Sequence, residues 1–217
     1  MAHEDYLKIL ESLYVAVVCD ILDDLGYRNQ IMETDIRPLT KNSKLFGRVV
    51  TARAENVNET PEEPYKLEMK MIDDLTSGDV LLVEAGHNRS CGMWGELLTT
   101  AAIANKGHGV VMTACTRDHW AIDEMGFPVF GIGYHPADSK ARLDIVELGS
   151  PIEISGVKCK NGDYIIADFD GVVIIPQEAI DETLTKSVEK VSGENRVRQE
   201  ILDGASMTEV FAKYGIL

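Results

Sequence analysis

Between Gly78 and Phe130 the hydrophobic pattern switches repeatedly between two periods, and this alternation constrains the fold more than any other feature of the chain. The run Val80-Leu81-Leu82-Val83-Glu84-Ala85 follows a Ser77-Gly78-Asp79 turn and is too short for a buried helix, so it reads as a buried strand. A polar, glycine-bounded loop from Gly86 to Gly92 comes next. From Trp94 to Asn105 apolar positions return at helical spacing, and Lys106-Gly107 ends them. Gly109-Val110-Val111-Met112 is a second buried strand, Arg117 to Met125 a short helix stopped by Gly126, and Phe127-Pro128-Val129-Phe130 a third strand. Apolar strands separated by helices point to a layered α/β core, in which ligands gather where loops leave the strand ends.

The flanks extend this core without a convincing interdomain linker, a repeat or a low-complexity segment. Leu7, Leu10, Leu13, Tyr14, Val17, Val18, Ile21 and Leu25 recur at spacings of three and four, which predicts one amphipathic helix over residues 5–26 with Gly26 as its stop. A strand is predicted over Leu45 to Ala52 and a helix over Glu63 to Leu75. Ile145 to Val157 and Tyr164 to Ile175 alternate β-prone residues with Gly-Asp and Asp-Gly turns, the mark of antiparallel or mixed strands. Pro176 ends them. The tail, residues 177–217, reads as two helices, one to about Ser192 and one from Asn195 to Tyr214. The whole is expected to be a single domain of 217 residues with its core at 45–176.

A formal charge of −15 opposes nonspecific binding to nucleic acid or to an anionic membrane. An anionic substrate must therefore meet a local cation or a bound metal. The start, Met1-Ala2-His3-Glu4-Asp5, has neither a basic nor an apolar targeting region, and no apolar run reaches membrane-spanning length, so a cytoplasmic location is expected. Cys19, Cys91, Cys115 and Cys159 are scattered, with no Cys-x-x-Cys pair, and read as reduced thiols used in packing.

Two strings carry the chemistry. Gly95-Glu96-Leu97-Leu98 opens a helix, so its first N–H groups lack intrahelical partners and point at whatever lies beyond the terminus, a geometry suited to a carboxylate. The alternative is that Glu96 merely complements the helix dipole in the first turn, which on this string alone is the stronger reading. Thr116-Arg117-Asp118 lies at the expected carboxyl end of a strand. Arg117 offers a planar donor fork for a carboxylate or a developing enolate oxygen, and Asp118 is either its salt-bridge partner or a ligand for a hard cation.

Other candidates are weaker. His87, with Asn88 and Arg89 in the glycine-bounded loop, is a second candidate for touching substrate, while His119 reads as a satisfied polar contact. A Schiff-base lysine would have to be desolvated, and Lys158 beside Lys160 suggests a solvated face. Gly131-Ile132-Gly133-Tyr134 lacks the third glycine and the helix of a nucleotide fingerprint. The stretch Arg89 to Trp94 is expected to shape the pocket for the distal end of a substrate.

Taken in order, Gly78-Asp79-Val80-Leu81-Leu82-Val83, Gly95-Glu96-Leu97-Leu98, Gly109-Val110-Val111, Arg117-Asp118, Gly126-Phe127-Pro128-Val129-Phe130 and Ala167-Asp168-Phe169-Asp170-Gly171-Val172-Val173 resemble the RraA-like family. That family holds the 4-hydroxy-4-methyl-2-oxoglutarate aldolases and the regulators of ribonuclease E activity. The resemblance is strong from Leu45 to Pro176 and looser in the terminal helices. It implies a layered β/β/α sandwich of the swivelling phosphohistidine-domain-like type, assembled as a homotrimer or as a hexamer of two stacked trimers.

For the site, the resemblance implies that the Gly95, Glu96, Leu97 and Leu98 amides cradle a substrate carboxylate. Arg117 would contact its oxygens, and Asp118 would bind Mg2+ or Mn2+ directly. Glu96 stands where the aldolases commonly have Asp and would reach the metal through water, as would Glu194 of the tail from a neighbouring subunit. The activity implied is class II, metal-dependent cleavage of 4-hydroxy-2-oxo acids such as 4-hydroxy-4-methyl-2-oxoglutarate to pyruvate and a second oxo compound. Oxaloacetate decarboxylation would be a side activity through the same enolate. The alternatives are a noncatalytic regulator of ribonuclease E activity, or another metal-dependent lyase reaction on the same scaffold. The regulators are usually shorter and lack the tail.

Overall fold

The computed structural model describes residues 1–216, and the strand–helix alternation at its centre is the one the sequence predicts. Helices α1 (His3–Ser12) and α2 (Val15–Asp24) lead into β1 (Arg37–Pro38), β2 (Leu45–Asn56) and α3 (Lys66–Asp73). The central run is β3 (Asp79–Trp94), α4 (Glu96–Ala104), β4 (Gly109–Thr116), α5 (His119–Met125), β5 (Val129–Gly131) and β6 (Gly133–Tyr134). Strands β7 (Leu143–Leu148), β8 (Ile152–Ile154), β9 (Val157–Cys159), β10 (Tyr164–Asp168) and β11 (Gly171–Ile175) follow, then α6 (Ile180–Leu202) and α7 (Met207–Tyr214).

One nine-stranded sheet runs in the order β1-β5-β4-β3-β2-β10-β11, with β6 beside β4 and β7 beside β2. Strands β2 to β5 pair in parallel, while β10, β11, β7 and β1 join antiparallel. The pleat sorts the apolar residues into layers, because successive side chains leave opposite faces. Leu81, Val83, Val110 and Met112 pack against Met71 and Ile72 of α3, Ala102 of α4 and Ile122 of α5. Val80, Leu82 and Val111 point the other way, into a core shared with Ile165, Ile174 and the β8–β9 hairpin. Tyr164, Ile166, Val173 and Ile175, on the opposite face of β10 and β11, are covered by α1, α2 and α6. The result is a mixed α/β layered structure, its sheet nearly closed around the central core, with helices flanking it.

Four sequence-based boundaries move. The single helix expected over residues 5–26 is two, because Leu13 and Tyr14 are extended (ψ 168° and 158°). The Val15 N–H donates to Asp168 Oδ2 at 2.9 Å, so a carboxylate from the end of β10 starts the second helix. Periodicity did not reveal the break because Leu10, Leu13, Val17 and Val18 stay buried through it. The loop expected over residues 86–92 belongs instead to the long β3, held by register shifts against β4. The helix expected from Glu63 begins at Lys66.

The tail's first helix does not stop near Ser192 but runs unbroken to Leu202. Gly193 lies inside it, since a Cβ there would sit 2.7 Å from Ile216 Cδ1, where the chain returns after α7. Among the described residues no helix is long and apolar enough to cross a membrane. The four cysteines are free thiols, three of them buried.

Asp168 also accepts from the Asp170 N–H at 2.9 Å, so it fixes the β10–β11 turn as well as the start of α2. Asp168→Ala is expected to lower unfolding stability by about 1–2 kcal/mol, measured as a shift in the urea midpoint at unchanged slope.

Candidate active site

The parallel strands β3 and β4 end side by side, with Trp94 opposite Thr116. Two hydrogen bonds lock that pairing, from the Arg117 N–H to Trp94 O (2.8 Å) and from Thr116 Oγ1 to Trp94 O (2.9 Å). Trp94 is itself fixed, its indole N–H donating to Thr99 Oγ1 (2.8 Å) and its ring stacked on Phe127. The residues that follow each strand, Gly95-Glu96 and Arg117-Asp118, therefore emerge as neighbours. Gly95 is the N-cap of α4, and Asp118 is the N-cap of α5 with φ 54°, a left-handed conformation that Asp tolerates better than most residues.

Asp118 turns its carboxylate toward α4, where Oδ2 accepts the Glu96 N–H at 3.2 Å and lies 3.8 Å from Arg117 Nε. The approach requires glycine at 95, since a Cβ there would stand 2.8 Å from Asp118 Oδ2 and 3.3 Å from Arg117 Nε. Gly92 is needed for the same reason, because a Cβ at 92 would meet the His135 carbonyl and lie 2.8 Å from Arg117 Cβ. With one amide of the α4 terminus held by Asp118, those of Leu97 and Leu98 remain, having no partner within the helix.

Arg117, Asp118, Gly95, Glu96, Leu97 and Leu98 all line one cavity of about 630 Å³. The structure thus brings together all the named residues of the two strings, while Glu194, expected from a neighbouring subunit, lies apart within its own chain. Glu194 sits on α6, where it accepts from the Tyr14 hydroxyl in the helical layer. Glu96 keeps its place on the cavity, although its carboxylate accepts from Thr100 Oγ1 at 3.1 Å, one turn along the helix.

Among the lining residues not anticipated, Asp138, Tyr65 and Glu68 bear most on the site's charge. Asp138, after β6, pairs with Arg117 Nη2 at 3.1 Å and accepts from the Tyr65 hydroxyl. Burial pushes the Asp138 carboxyl up, but the Tyr65 bond and Arg117 outweigh it and hold the group below the usual range. Burial and Asp138 raise Tyr65 to about 12. Glu68 of α3 is buried, and its carboxyl is pushed up to about 7 by burial and then by Asp138 and Asp144, with Arg117 opposing. A signal for Glu68 was present, since it shares the spacing of Met71, Ile72 and Leu75 and so is a carboxyl on an apolar helix face. Nothing local marked Asp138, which reaches the cavity because β6 pairs with β4 and Gly92 bridges to Asp138.

The remaining candidates lie elsewhere. His87 is drawn to Asp35 (3.3 Å) and Glu33 (4.0 Å), away from the cavity. His119 is a polar contact, 3.8 Å from Asp123 and packed on Tyr134. Arg89 donates to Ile132 O, so of the stretch expected to shape the pocket only Met93 and the buried Trp94 serve it, the first as lining and the second as support. Lys158 is exposed on β9, and no lysine lines the cavity among the described residues.

The donor set suits a hard divalent ion. Asp118 presents a carboxylate to the cavity, Glu96 lies beside it, and the cradle between Gly95 and Asp118 has no room for a side chain.

The family model described as RraA-like, Aldolase/RraA, matches residues 15–174. The chain belongs to the RraA-like family. Protein DlpA of Legionella pneumophila is 27% identical over 212 residues, covering 96% of this chain but 33% of that protein, so the chain spans about a third of its length. A protein of Acinetobacter baylyi named "Putative 4-hydroxy-4-methyl-2-oxoglutarate aldolase" is 28% identical over 177 residues, 76% of this chain and 96% of that one. Among solved structures, Streptomyces coelicolor RraAS2, an unusual member of the RNase ES inhibitor RraA protein family, superposes with a TM-score of 0.80 at 24% identity. That match covers 90% of this chain and 98% of the other, and it establishes the RraA-like fold.

The raised carboxyl of Glu68 has a consequence for stability. The unfolded chain releases this proton near 4.5, whereas the folded chain holds it to about 7. The contribution of Glu68 is therefore fully present below pH 4.5 and is lost as pH rises through 7. Glu68→Gln is expected to be more stable than the parent at pH 8, by roughly 2–3 kcal/mol. The advantage should shrink as pH falls toward 5, as read from urea midpoints across that range.

Proposed function

We propose that this RraA-like protein is a divalent-metal-dependent lyase that cleaves 4-hydroxy-2-oxo acids to pyruvate and a second oxo compound. The observation that carries this reading is the convergence on one cavity of free α4 amides, the Arg117 guanidinium and the Asp118 carboxylate. Similarity to proteins named for aldolase activity supports it.

The α4 terminus binds the substrate carboxylate through the Leu97 and Leu98 amides and the positive end of the helix dipole. Asp118, with Glu96 beside it, would hold Mg2+ or Mn2+. When bound, that ion supplies Lewis-acid polarisation of the 2-oxo group. A water held beside Asp118 and Glu96 would take the 4-hydroxyl proton as the C3–C4 bond breaks. The bond's electron pair forms C2=C3 with the charge on the 2-oxygen while C4 becomes the carbonyl of the second product, and the same water would return the proton to C3. Arg117 lies where it can stabilise charge on the enolate oxygen, and its Asp138 and Asp118 contacts fix the plane of its fork. Protonation at C3 then completes pyruvate. Oxaloacetate would lose CO2 through the same enolate.

Assembly belongs to the same reading. Leu97, Trp120 and Met69 are 78%, 72% and 55% exposed around the cavity mouths, an apolar rim suited to a neighbouring subunit. A homotrimer or hexamer would be the means of bringing Glu194 to a neighbour's site. Protein loaded with Mg2+ or Mn2+ is expected to release pyruvate from a 4-hydroxy-2-oxo acid and to stop on chelation. Arg117→Ala and Asp118→Ala should each lower kcat/KM by about 100-fold or more. Coupled pyruvate assays would measure this, and absence of metal-dependent turnover in the parent would instead favour a noncatalytic regulator.

A further inference from the structure

Aldol cleavage and loss of CO2 reach the same enolate with different proton balances. In aldol cleavage the 4-hydroxyl gives up a proton, which is then at hand for C3. In decarboxylation CO2 leaves without giving up a proton, and C3 must take one from an acid that was protonated beforehand. A water that has gained no proton would have to end as hydroxide, so a group titrating near neutral pH is the better donor.

Glu68 is such a group, and its place is set by its own chain. It shares the buried face of α3 with Met71 and Ile72, is 6% exposed, and lines the cavity on which Arg117, Asp118 and Glu96 also lie. Its burial is complete within one chain, so a subunit arriving at the cavity mouth does not create it. Among the described residues none hydrogen-bonds its carboxyl, while Asp138, Asp144 and Arg117 act on it through space. A buried carboxyl left without a partner costs stability as an anion, and burial with two neighbouring acids holds the proton to about 7. The other acids of the cavity are placed differently. Asp118 and Glu96 stand where the ion would be held, Asp138 is paired with Arg117 at 3.1 Å and held low, and Asp73 is exposed.

We infer that Glu68 is the acid that protonates C3 of the enolate when oxaloacetate loses CO2. This rests on the lyase reading of the site. The C3–C4 bond breaks as CO2 departs, and its electron pair forms C2=C3 with the charge on the 2-oxygen. That charge returns to re-form the 2-oxo group as C3 takes the Glu68 proton. Glu68 is left as a carboxylate and regains its proton from solvent.

Glu68→Gln keeps the size of the side chain and removes the acid. The Mg2+-loaded variant and parent are to be compared on oxaloacetate and on a 4-hydroxy-2-oxo acid, with the rate from metal alone subtracted. The ratio of decarboxylation to aldol turnover is expected to fall by about tenfold or more in Glu68→Gln, and Glu68→Asp should recover part of it. Parent decarboxylation should fall as pH rises through about 7, a limb that Glu68→Gln lacks. Independently of turnover, infrared difference spectra of the metal-free parent taken on either side of that pH should show a protonated carboxyl that is missing from Glu68→Gln. An unchanged ratio, or both reactions falling in proportion as a packing defect would cause, overturns the inference while parent aldol turnover keeps the lyase reading intact. Absence of the infrared signal overturns it equally. If the parent turns over neither substrate, the lyase reading falls and the inference with it.

Discussion

The pairing of Trp94 with Thr116 is the contact on which the rest of the site depends. One carbonyl, Trp94 O, accepts both the Arg117 N–H and the Thr116 hydroxyl, and so ties the last residue of β3 to the last residue of β4 and the first beyond it. The same tryptophan reaches into α4 through Thr99, whose hydroxyl in turn donates to Gly95 O. A strand end, a helix start and a catalytic candidate are thereby fixed by one buried side chain and its backbone. Displacement of Trp94 would move the start of α4 and the Arg117 backbone together, because its indole holds the one through Thr99 and its carbonyl holds the other.

Charge is the second organising element. The chain carries a large negative excess, yet at the cavity a single guanidinium is held between two carboxylates, Asp118 and Asp138. Asp138 is braced from its far side by the Tyr65 hydroxyl. Such bracing restricts Arg117 to one orientation and leaves Asp118 facing the cavity. Burial, and after it Asp138 and Asp144, disfavours the ionisation of Glu68 against the pull of Arg117.

Much of this was legible in the residue order. The buried strands around Leu81 and Val111, the helix beginning at Gly95 and the exposed position of Arg117-Asp118 all follow from local periodicity, because each element's apolar face is set by its own sequence. What escaped depends on contacts distant in the chain. The α1–α2 break comes from Asp168, the need for glycine at 193 within α6 from the returning Ile216, and the extension of β3 from pairing with β4. Glu68 was visible as a carboxyl on an apolar helix face, but its meaning required Asp138 and Asp144 beside it.

The irregular part of β3 has a bearing on how such a site could change over time. From the Val83–Met112 pair to the Trp94–Thr116 pair, β3 takes eleven steps (83 to 94) while β4 takes four (112 to 116). Two intermediate rungs, Asn88–Ala114 and Gly92–Cys115, divide the surplus, and the exposed Gly86-His87 corner lies before the first of them. Loop-closure entropy grows slowly with length, so residues could be gained or lost at that corner at little cost. The surface around His87 is therefore free to diversify in sequence and length, while the rungs beyond it keep Gly95 and Arg117 in register.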